Sequence, residues 1–212
     1  MLVVENHRTV SNALARSLAS EPDLLVVAEA ADGDEAVALA RQHRPDVILM
    51  DLTLGDFNGV DATREIRAEN PEVNVIALTH HRLDELVIAM FDAGAAGYLV
   101  KDRPLAEVVL AVRTVAAGQI YVCPQVAGAL VRFGLGGPGE HPAQATVWDL
   151  SQRQRQVLQL IANGHAPKVI AAKLGLSLST VETYRRHMMA KLHKGSLAEL
   201  IKEAIRAKLV EL

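Results

Sequence analysis

The chain has 212 residues, of which 50% are hydrophobic and only 3% aromatic. This length suits one or two domains with aliphatic cores, and the single cysteine, Cys123, excludes a disulfide framework or a cysteine-rich zinc site. The chain lacks an apolar run of roughly 18 residues and a basic leader before an apolar stretch, so we expect a cytoplasmic protein without a membrane span.

The net charge of −3 conceals a division along the chain. Residues 1–124 carry 10 Lys/Arg and 19 Asp/Glu, a net charge of −9. Residues 149–212 carry 11 Lys/Arg and 5 Asp/Glu, a net charge of +6. An acidic front joined to a basic tail indicates that the tail meets a polyanion while the front has another role.

The front of the chain alternates short apolar runs with stretches of helical length. The run Val47–Met50 is continuously apolar, as expected for a parallel strand that is buried on both faces. Five such strands alternating with helices predict a doubly wound, five-stranded parallel α/β domain over residues 1–124. The predicted strands cover residues 2–4, 24–28, 47–50, 73–78 and 98–100.

Residues 125–148 are predicted to form a linker between this domain and the basic tail. Residues 133–142 hold four Gly and two Pro, a composition that sustains neither a helix nor a central strand. A short helix over about residues 124–132 is expected to lead into it.

The tail, residues 149–212, is predicted to be an all-α domain of four helices. Ser151 begins the first, with Gln154 placed for a capping box. Pro167 suits the first turn of the second helix, and Gly175 suits the position just after its end. The third and fourth helices are expected over about residues 179–192 and 197–209.

Polar residues stand where the predicted strands of the front domain end. Glu5 and Asn6 follow the first strand, Asp51 follows the third, Thr79 the fourth and Lys101 the fifth. The carboxyl ends of parallel strands share one edge, so these side chains should converge. Carboxylate and amide oxygens suit Mg²⁺, and a carboxylate beside an ammonium can act as a nucleophile toward phosphorus.

The motifs around these positions resemble the receiver domain of bacterial two-component response regulators over residues 1 to about 124. They read Val4-Glu-Asn-His7, Met50-Asp-Leu52, Ala77-Leu-Thr79 and Gly97-Tyr-Leu-Val-Lys101-Asp102. The resemblance implies that Asp51 is the phosphoacceptor, Thr79 the switch hydroxyl, Tyr98 the aromatic switch, and Lys101 the partner of the phosphoryl group. The implied ligands of an Mg²⁺ ion are Glu5, Asn6, Asp51 and the carbonyl of Thr53.

Three positions depart from the usual receiver pattern. Asn6 stands where the family has a second acidic residue, so we expect weakened Mg²⁺ binding. His80 follows Thr79 where a small residue is usual, and Leu54-Gly55 replaces a common Met-Pro pair. The sequence therefore leaves open a second hypothesis, a receiver that regulates transcription independently of phosphorylation.

An aspartyl-nucleophile phosphatase is the enzymatic alternative, but that chemistry needs a second Asp two residues after Asp51, and Thr53 stands there. His80 and His81 are more typical of a surface pair than of metal ligands. We expect a protein that is not an enzyme.

The basic tail has the spacing of a helix-turn-helix, with a short turn at residues 175–177. On the helix after the turn, one face carries apolar residues that predict burial. The other carries short or hydrogen-bonding side chains, as a face that enters the major groove should. The two sets are Val181, Tyr184, Met188 and Leu192, and Glu182, Thr183, Arg186, His187 and Ala190.

These features resemble the LuxR-type effector domain and place the chain in the NarL/FixJ class. The resemblance rests on residues 150–158, 161–164, 168–177, 179–184 and 196–200 and on Lys191-Leu192. It implies that Glu182, Thr183 and Arg186 face DNA bases, while Lys168 and Lys191 approach the backbone; Arg185, beside them, is placed for phosphate contact. Equally, Glu182 could close a capping box with Ser179.

Taken together, these features predict a DNA-binding transcription factor that acts as a homodimer and is phosphorylated at Asp51 by a sensor histidine kinase. The resemblance implies that the last helix contributes a dimer contact. In the front domain, a stripe of apolar residues looks wider than one buried face and hints at receiver dimerisation, although core packing is the favoured role of each residue. That stripe consists of Leu105, Val108, Val109, Val112 and Val115.

Overall fold

The computed structural model describes residues 1–54, 58–80, 82–135 and 145–210. The chain forms two compact units, Met1–Leu135 and Gly136–Leu212. The first is a parallel α/β unit and the second is helical, which confirms the predicted fold class. Within the described ranges, no helix is long and apolar enough to cross a membrane.

The first unit is built on a parallel sheet. Its strands are β1 Leu2–Val4, β2 Ala28–Ala30, β3 Val47–Met50, β4 Asn74–Thr79, β5 Gly97–Val100 and β6 Tyr121–Val122. They lie in the order β2-β1-β3-β4-β5-β6. The predicted number of five strands is wrong by one, because β6 has two residues and does not stand out as an apolar run. It pairs with β5 in the register Gly97↔Tyr121 and Tyr98↔Val122.

The second strand lies later in the chain than predicted, because its partner is short. β1 begins at Leu2, which pairs with Ala28, so residues 24–27 extend past the end of the ladder. There the amide of Val27 still donates to the Met1 carbonyl, at 2.9 Å. Leu25 is 73% exposed, and its apolar character therefore does not mark a buried strand.

The helices of the first unit are α1 Arg8–Ala19, α2 Gly33–His43, α3 Gly59–Glu69, α4 Asp84–Asp92, α5 Leu105–Ala116 and α6 Pro124–Leu135. Helices cover the two faces of the sheet, as expected for a doubly wound fold. Four of the five residues in the apolar stripe of α5 are buried in the core, and only Leu105 reaches the surface, at 37% exposure. The stripe is thus mainly a core face.

Helix α6 occupies the start of the region predicted as a linker. It packs against α4 and buries Val126 and Ala129, which lie one turn apart. This apolar pair explains why the helix extends the first unit. Residues 136–144, which include most of the Gly- and Pro-rich stretch 133–142, lie outside the described residues.

The second unit consists of a short 3-10 helix, Val147–Asp149, and four longer helices. Its core is aliphatic, with Leu158, Ile170, Val181, Met188 and Leu200 all fully buried or nearly so. The four predicted helices are confirmed with small shifts at their ends. They are α7 Gln152–Ala162, α8 Pro167–Leu174, α9 Leu178–Lys191 and α10 Leu197–Arg206.

The caps of these helices explain their boundaries. Ser151 and Gln154 form the predicted capping box at α7, and Gly175 ends α8 in a left-handed conformation with φ +62°. Helix α9 starts earlier than predicted, because the side chain of Ser177 accepts from the amide of Thr180. The alternative capping box of Ser179 with Glu182 is therefore wrong.

Candidate functional site

Polar side chains from four strands meet at the carboxyl edge of the sheet, as predicted. Glu5 follows β1, Asp51 follows β3, Thr79 ends β4 and Lys101 follows β5. The Nζ atom of Lys101 lies 2.7 Å from Glu5 Oε2 and 2.9 Å from Asp51 Oδ2. Both carboxylates are buried. We call Glu5, Asp51 and Lys101 the ion cluster.

The pKa values of the ion cluster follow from burial opposed by ion pairing. Burial raises the pKa of Asp51 above its ordinary 3.8, and the charge and hydrogen bond of Lys101 only partly offset this. Burial alone would also raise the pKa of Glu5, but hydrogen bonds from Lys101 and His7 outweigh it and lower that pKa. For Lys101, the two carboxylates outweigh burial and raise the pKa. Of the two carboxylates, Asp51 is thus the one whose ionised form is stabilised less by its surroundings.

Replacing Asp51 by asparagine is expected to stabilise the first unit at neutral pH, by about 1 kcal/mol, the size of a typical single-site effect. Because the folded-state pKa of Asp51 is raised, its ionisation opposes folding once the pH exceeds 3.8, and the opposition levels off above the folded pKa. The variant should therefore match the original chain at low pH and gain stability as the pH rises. Urea unfolding measured across this range checks the prediction, and a pH-independent difference would contradict it.

The hydrogen bonds around the ion cluster engage the oxygens that were expected to hold a metal. Asn6 Nδ2 donates to the Thr53 carbonyl at 2.8 Å. The amide of Thr53 donates to Asp51 Oδ1 at 3.2 Å, and the amide of His7 donates to Glu5 Oε1 at 3.0 Å. With Lys101 on the remaining oxygens of Glu5 and Asp51, each carboxylate oxygen of these two residues and the Thr53 carbonyl accepts a hydrogen bond from the protein.

This arrangement is a poor fit for an Mg²⁺ ion, which takes oxygen ligands, because Lys101 and the Asn6 amide compete for the oxygens that the ion would need. Asn6 presents an amide donor to the carbonyl that was expected to be a ligand, and Lys101 supplies the positive charge between the carboxylates. In the part of the chain that the structure describes, no group of three or more His, Cys, Asp or Glu side chains is placed to hold a metal.

Replacing Asn6 by aspartate is expected to strengthen Mg²⁺ binding about tenfold or more, because the number of charged ligands sets the affinity for such cations. Aspartate releases the Thr53 carbonyl and adds a carboxylate. Calorimetric titration of Mg²⁺ into the full chain measures the change. Asn6→Ala is the matched control, since it releases the carbonyl without adding charge. Equal affinities for the aspartate and alanine variants would contradict the prediction.

The two residues expected to act as switches are both in the interior. Thr79 is 1% exposed at the end of β4, and Tyr98 is fully buried in β5. Burial raises the pKa of the Tyr98 hydroxyl, so this side chain stays neutral. The Tyr98 carbonyl accepts from the amide of Cys123, at 3.1 Å, which links β5 to the start of α6.

His80, which stands where receivers usually have a small residue, lies on the surface. Its side chain is 62% exposed, and its Nδ1 atom is 3.5 Å from Asp102 Oδ1. It therefore contacts the residue after Lys101 and not the ion cluster. His81 and the Gly55 position lie outside the described residues.

The sequence analysis missed Gly59, which allows α3 to approach the loop after Asp51. A Cβ atom on Gly59 would lie 2.1 Å from the Asp51 carbonyl oxygen. Beside it, Asn58 caps α3 by accepting from the amide of Asp61 at 3.0 Å, and both side chains are buried. The sequence Asn58-Gly59 before a helical pattern was a signal of a cap, but it gave no indication of the close approach.

The second unit presents the residues of α9 that were expected to face DNA. Val181 and Met188 are buried on one face, whereas Arg186 is exposed on the other and Thr183 is half-buried. Arg186 Nη2 lies 3.4 Å from Thr183 Oγ1. These contacts place two of the predicted base-facing side chains together on the surface of α9.

The remaining predicted DNA contacts lie around this face. Glu182 pairs with Arg185 at 3.3 Å, and the two side chains are 41% and 39% exposed. Lys168 is exposed near the start of α8. Lys191, the last residue of α9, donates to the Asp149 carbonyl at 2.6 Å. All six expected residues therefore lie on α8 or α9, and Lys191 also contacts the segment that precedes α7.

Comparisons with known proteins agree with this two-part organisation. Residues 1–113 match the response regulator receiver domain family, and residues 149–204 match the family described as bacterial regulatory proteins, luxR family. The chain is 37% identical to the response regulator GacA of Pseudomonas aeruginosa, covering 100% of this chain and 97% of GacA. It is 36% identical to the oxygen regulatory protein NreC of Staphylococcus epidermidis, covering 100% and 99%.

A solved structure shares the same fold. The crystal structure of a LuxR-family two-component response regulator from Aurantimonas superposes with a TM-score of 0.60 and 34% sequence identity. The superposition covers 64% of this chain and 96% of the Aurantimonas chain.

Proposed function

Because this chain belongs to the response regulators that join a receiver domain to a luxR-family DNA-binding domain, we propose that phosphorylation at Asp51 controls its binding to DNA as a homodimer. The proposed partners are a sensor histidine kinase and a double-stranded element with two half-sites. The observation that carries the DNA-binding part is the polar face of α9 opposite its buried residues Val181 and Met188. Such a face is what a recognition helix needs in the major groove.

In this proposal, α9 reads base edges through three residues. Arg186 donates to guanine, Thr183 hydrogen bonds to a base, and Glu182 accepts from a cytosine amino group. Lys168 and Arg185 contact phosphates and set the register on the duplex. The half-exposed Glu182–Arg185 pair is weak in water, so DNA can draw the two side chains to separate partners at little cost.

Replacing Arg186 by alanine is expected to weaken specific DNA binding by about 1–3 kcal/mol and to relax sequence preference at one base pair. The duplex for this measurement is recovered from a random-sequence pool by the full chain, and binding is followed by anisotropy of the labelled duplex. The control is Arg16→Ala, which removes another exposed positive charge, from α1 of the first unit. Unchanged affinity and preference in the Arg186 variant would remove this residue from the reading face.

The proposed phosphorylation takes place at the ion cluster. An oxygen of Asp51 attacks the phosphorus of a phosphohistidine; the new P–O bond forms as the P–N bond breaks. The electron pair leaves on the imidazole nitrogen, and the ring departs neutral because its other nitrogen carries a proton. Lys101, already 2.9 Å from Asp51, supplies positive charge beside the phosphoryl oxygens. Thr79, on the adjacent strand, is the residue proposed to turn toward the new group.

A second candidate function has its own support, namely the Asn6 hydrogen bond to the Thr53 carbonyl. It closes the expected metal site with a protein donor, which favours a receiver that controls transcription without phosphorylation. In that case the ion cluster only stabilises the fold of the first unit, and DNA binding depends on protein concentration or on a partner. The two candidates differ in whether a phosphodonor modifies Asp51 and alters DNA affinity.

A further inference from the structure

Within the second unit, a turn lies just before α7. The 3-10 helix Val147–Asp149 is closed by a capping box, in which Asp149 Oδ2 accepts from the amide of Thr146 at 2.7 Å and from its hydroxyl at 3.0 Å. Val147 and Leu150 are both buried in the core of the unit. We call residues 146–150 the junction turn, and its caps and anchors fix its backbone.

Two basic side chains hold three successive carbonyls of the junction turn. Arg155, which is 2% exposed on α7, donates to the carbonyl of Trp148 at 2.9 Å and to that of Leu150. Lys191 Nζ donates to the carbonyl between them, that of Asp149, at 2.6 Å. Carbonyls at the end of a helix carry partial negative charge and lack partners within it, so they attract cations.

Lys191 is also the last residue of α9, the helix proposed to read DNA. Its ammonium therefore joins the carboxyl end of that helix to the turn that precedes α7. We infer that Lys191 is a positioning residue, which sets the placement of α9 through the junction turn and not through a contact of its own with the DNA backbone. This inference rests on the proposed function of α9 and extends it to a residue outside the reading face.

A positioning residue and a phosphate contact differ in their dependence on salt. The logarithm of the affinity falls as the logarithm of the salt concentration rises, and each phosphate contact that is lost makes this slope less steep by about 0.9. A lysine that only positions α9 changes affinity without changing this slope. Trp148, the single tryptophan of the chain, lies in the junction turn and reports on it by fluorescence.

The test compares Lys191→Gln, Lys191→Arg and the control Lys168→Gln in the full chain. The probe is the duplex recovered from a random-sequence pool by the unsubstituted chain. We expect Lys191→Gln to weaken binding about tenfold, a coupling of ordinary size for residues in one hydrogen-bond network, with the salt slope unchanged and the Trp148 emission of the free protein shifted. Lys191→Arg should keep both the DNA affinity and the Trp148 emission of the unsubstituted chain, since a guanidinium also donates to a carbonyl. Lys168→Gln should make the salt slope less steep and leave the Trp148 emission unchanged.

A second variant reaches the junction turn from its other end. Thr146→Ala removes the hydroxyl that bonds Asp149 and leaves α9 untouched. It should weaken binding at constant salt slope, and its effect should not add fully to that of Lys191→Gln. The inference is overturned if Lys191→Gln makes the salt slope less steep, as Lys168→Gln does, while the Trp148 emission stays the same. If the chain recovers no duplex, the proposed DNA reading fails, whereas the emission of the free variants still decides whether Lys191 holds the turn.

Discussion

Replacing Lys101 by methionine is expected to lower the free energy of unfolding of the first unit by about 3–5 kcal/mol at pH 7. The substitution keeps the apolar stem but removes the ammonium that bonds Glu5 and Asp51, and both carboxylates are buried. Two buried negative charges then face each other without compensation. Urea unfolding followed by circular dichroism gives the difference directly.

The pH dependence of this variant distinguishes electrostatics from packing. In the original chain, the lowered pKa of Glu5 contributes stability above the ordinary value of 4.5, and this contribution disappears as the pH falls through the folded pKa. The methionine variant lacks that contribution, so its deficit should shrink as the pH falls and the carboxyls become protonated. Adding Asp51→Asn to the variant should recover part of the loss at pH 7. A deficit that is constant with pH would mean that lost packing is responsible.

Replacing Gly59 by alanine is expected to cost about 3 kcal/mol or more, the upper end for overpacking of a tightly fitted site. The added Cβ would lie 2.1 Å from the Asp51 carbonyl oxygen and 2.9 Å from the Cα atom of Leu52. Both are backbone atoms, so neither moves away by a side-chain rotation. Either α3 or the loop after Asp51 must shift, and we expect phosphorylation of Asp51 to be impaired as well.

The position of the single tryptophan makes this prediction specific. Trp148 lies in the second unit, so its fluorescence transition in urea should not move, while the circular dichroism transition of the first unit shifts to lower urea. The control is Gly195→Ala, whose added Cβ meets its nearest atom, Glu199 Oε2, at 3.7 Å. Equal stability of the Gly59 variant and the original chain would show that the loop adapts to the added atom.

The sequence was sufficient to predict the fold class wherever local pattern and burial agree. Val47–Met50 is a continuous apolar run that pairs on both sides, and its predicted and observed limits coincide. Strand β2 moved and β6 was missed, because their limits depend on how far the neighbouring strand extends and not on their own hydrophobicity. The limits of strands at the edges of a sheet therefore cannot be predicted from the local sequence alone.

The candidate site was predictable in its membership but not in its hydrogen bonds. Because the carboxyl ends of parallel strands share one edge of the sheet, Glu5, Asp51 and Lys101 were predicted to lie close together. In the structure, Lys101 forms ion pairs with both carboxylates. The sequence offered no way to know that Asn6 would turn its amide toward the Thr53 carbonyl. In the same way, an exposed lysine at the end of α9 resembles any phosphate contact until its partner is visible.

The most direct test of phosphorylation control is DNA affinity measured before and after exposure of the full chain to a small phosphodonor, with the intact mass of the same sample. Donor is added with and without Mg²⁺, and Asp51→Ala is the control. We predict an adduct of one phosphoryl group and tighter binding to the selected duplex, both absent from the control. Equal affinity with and without the adduct, or tight binding with no adduct, would contradict phosphorylation control and favour regulation without it.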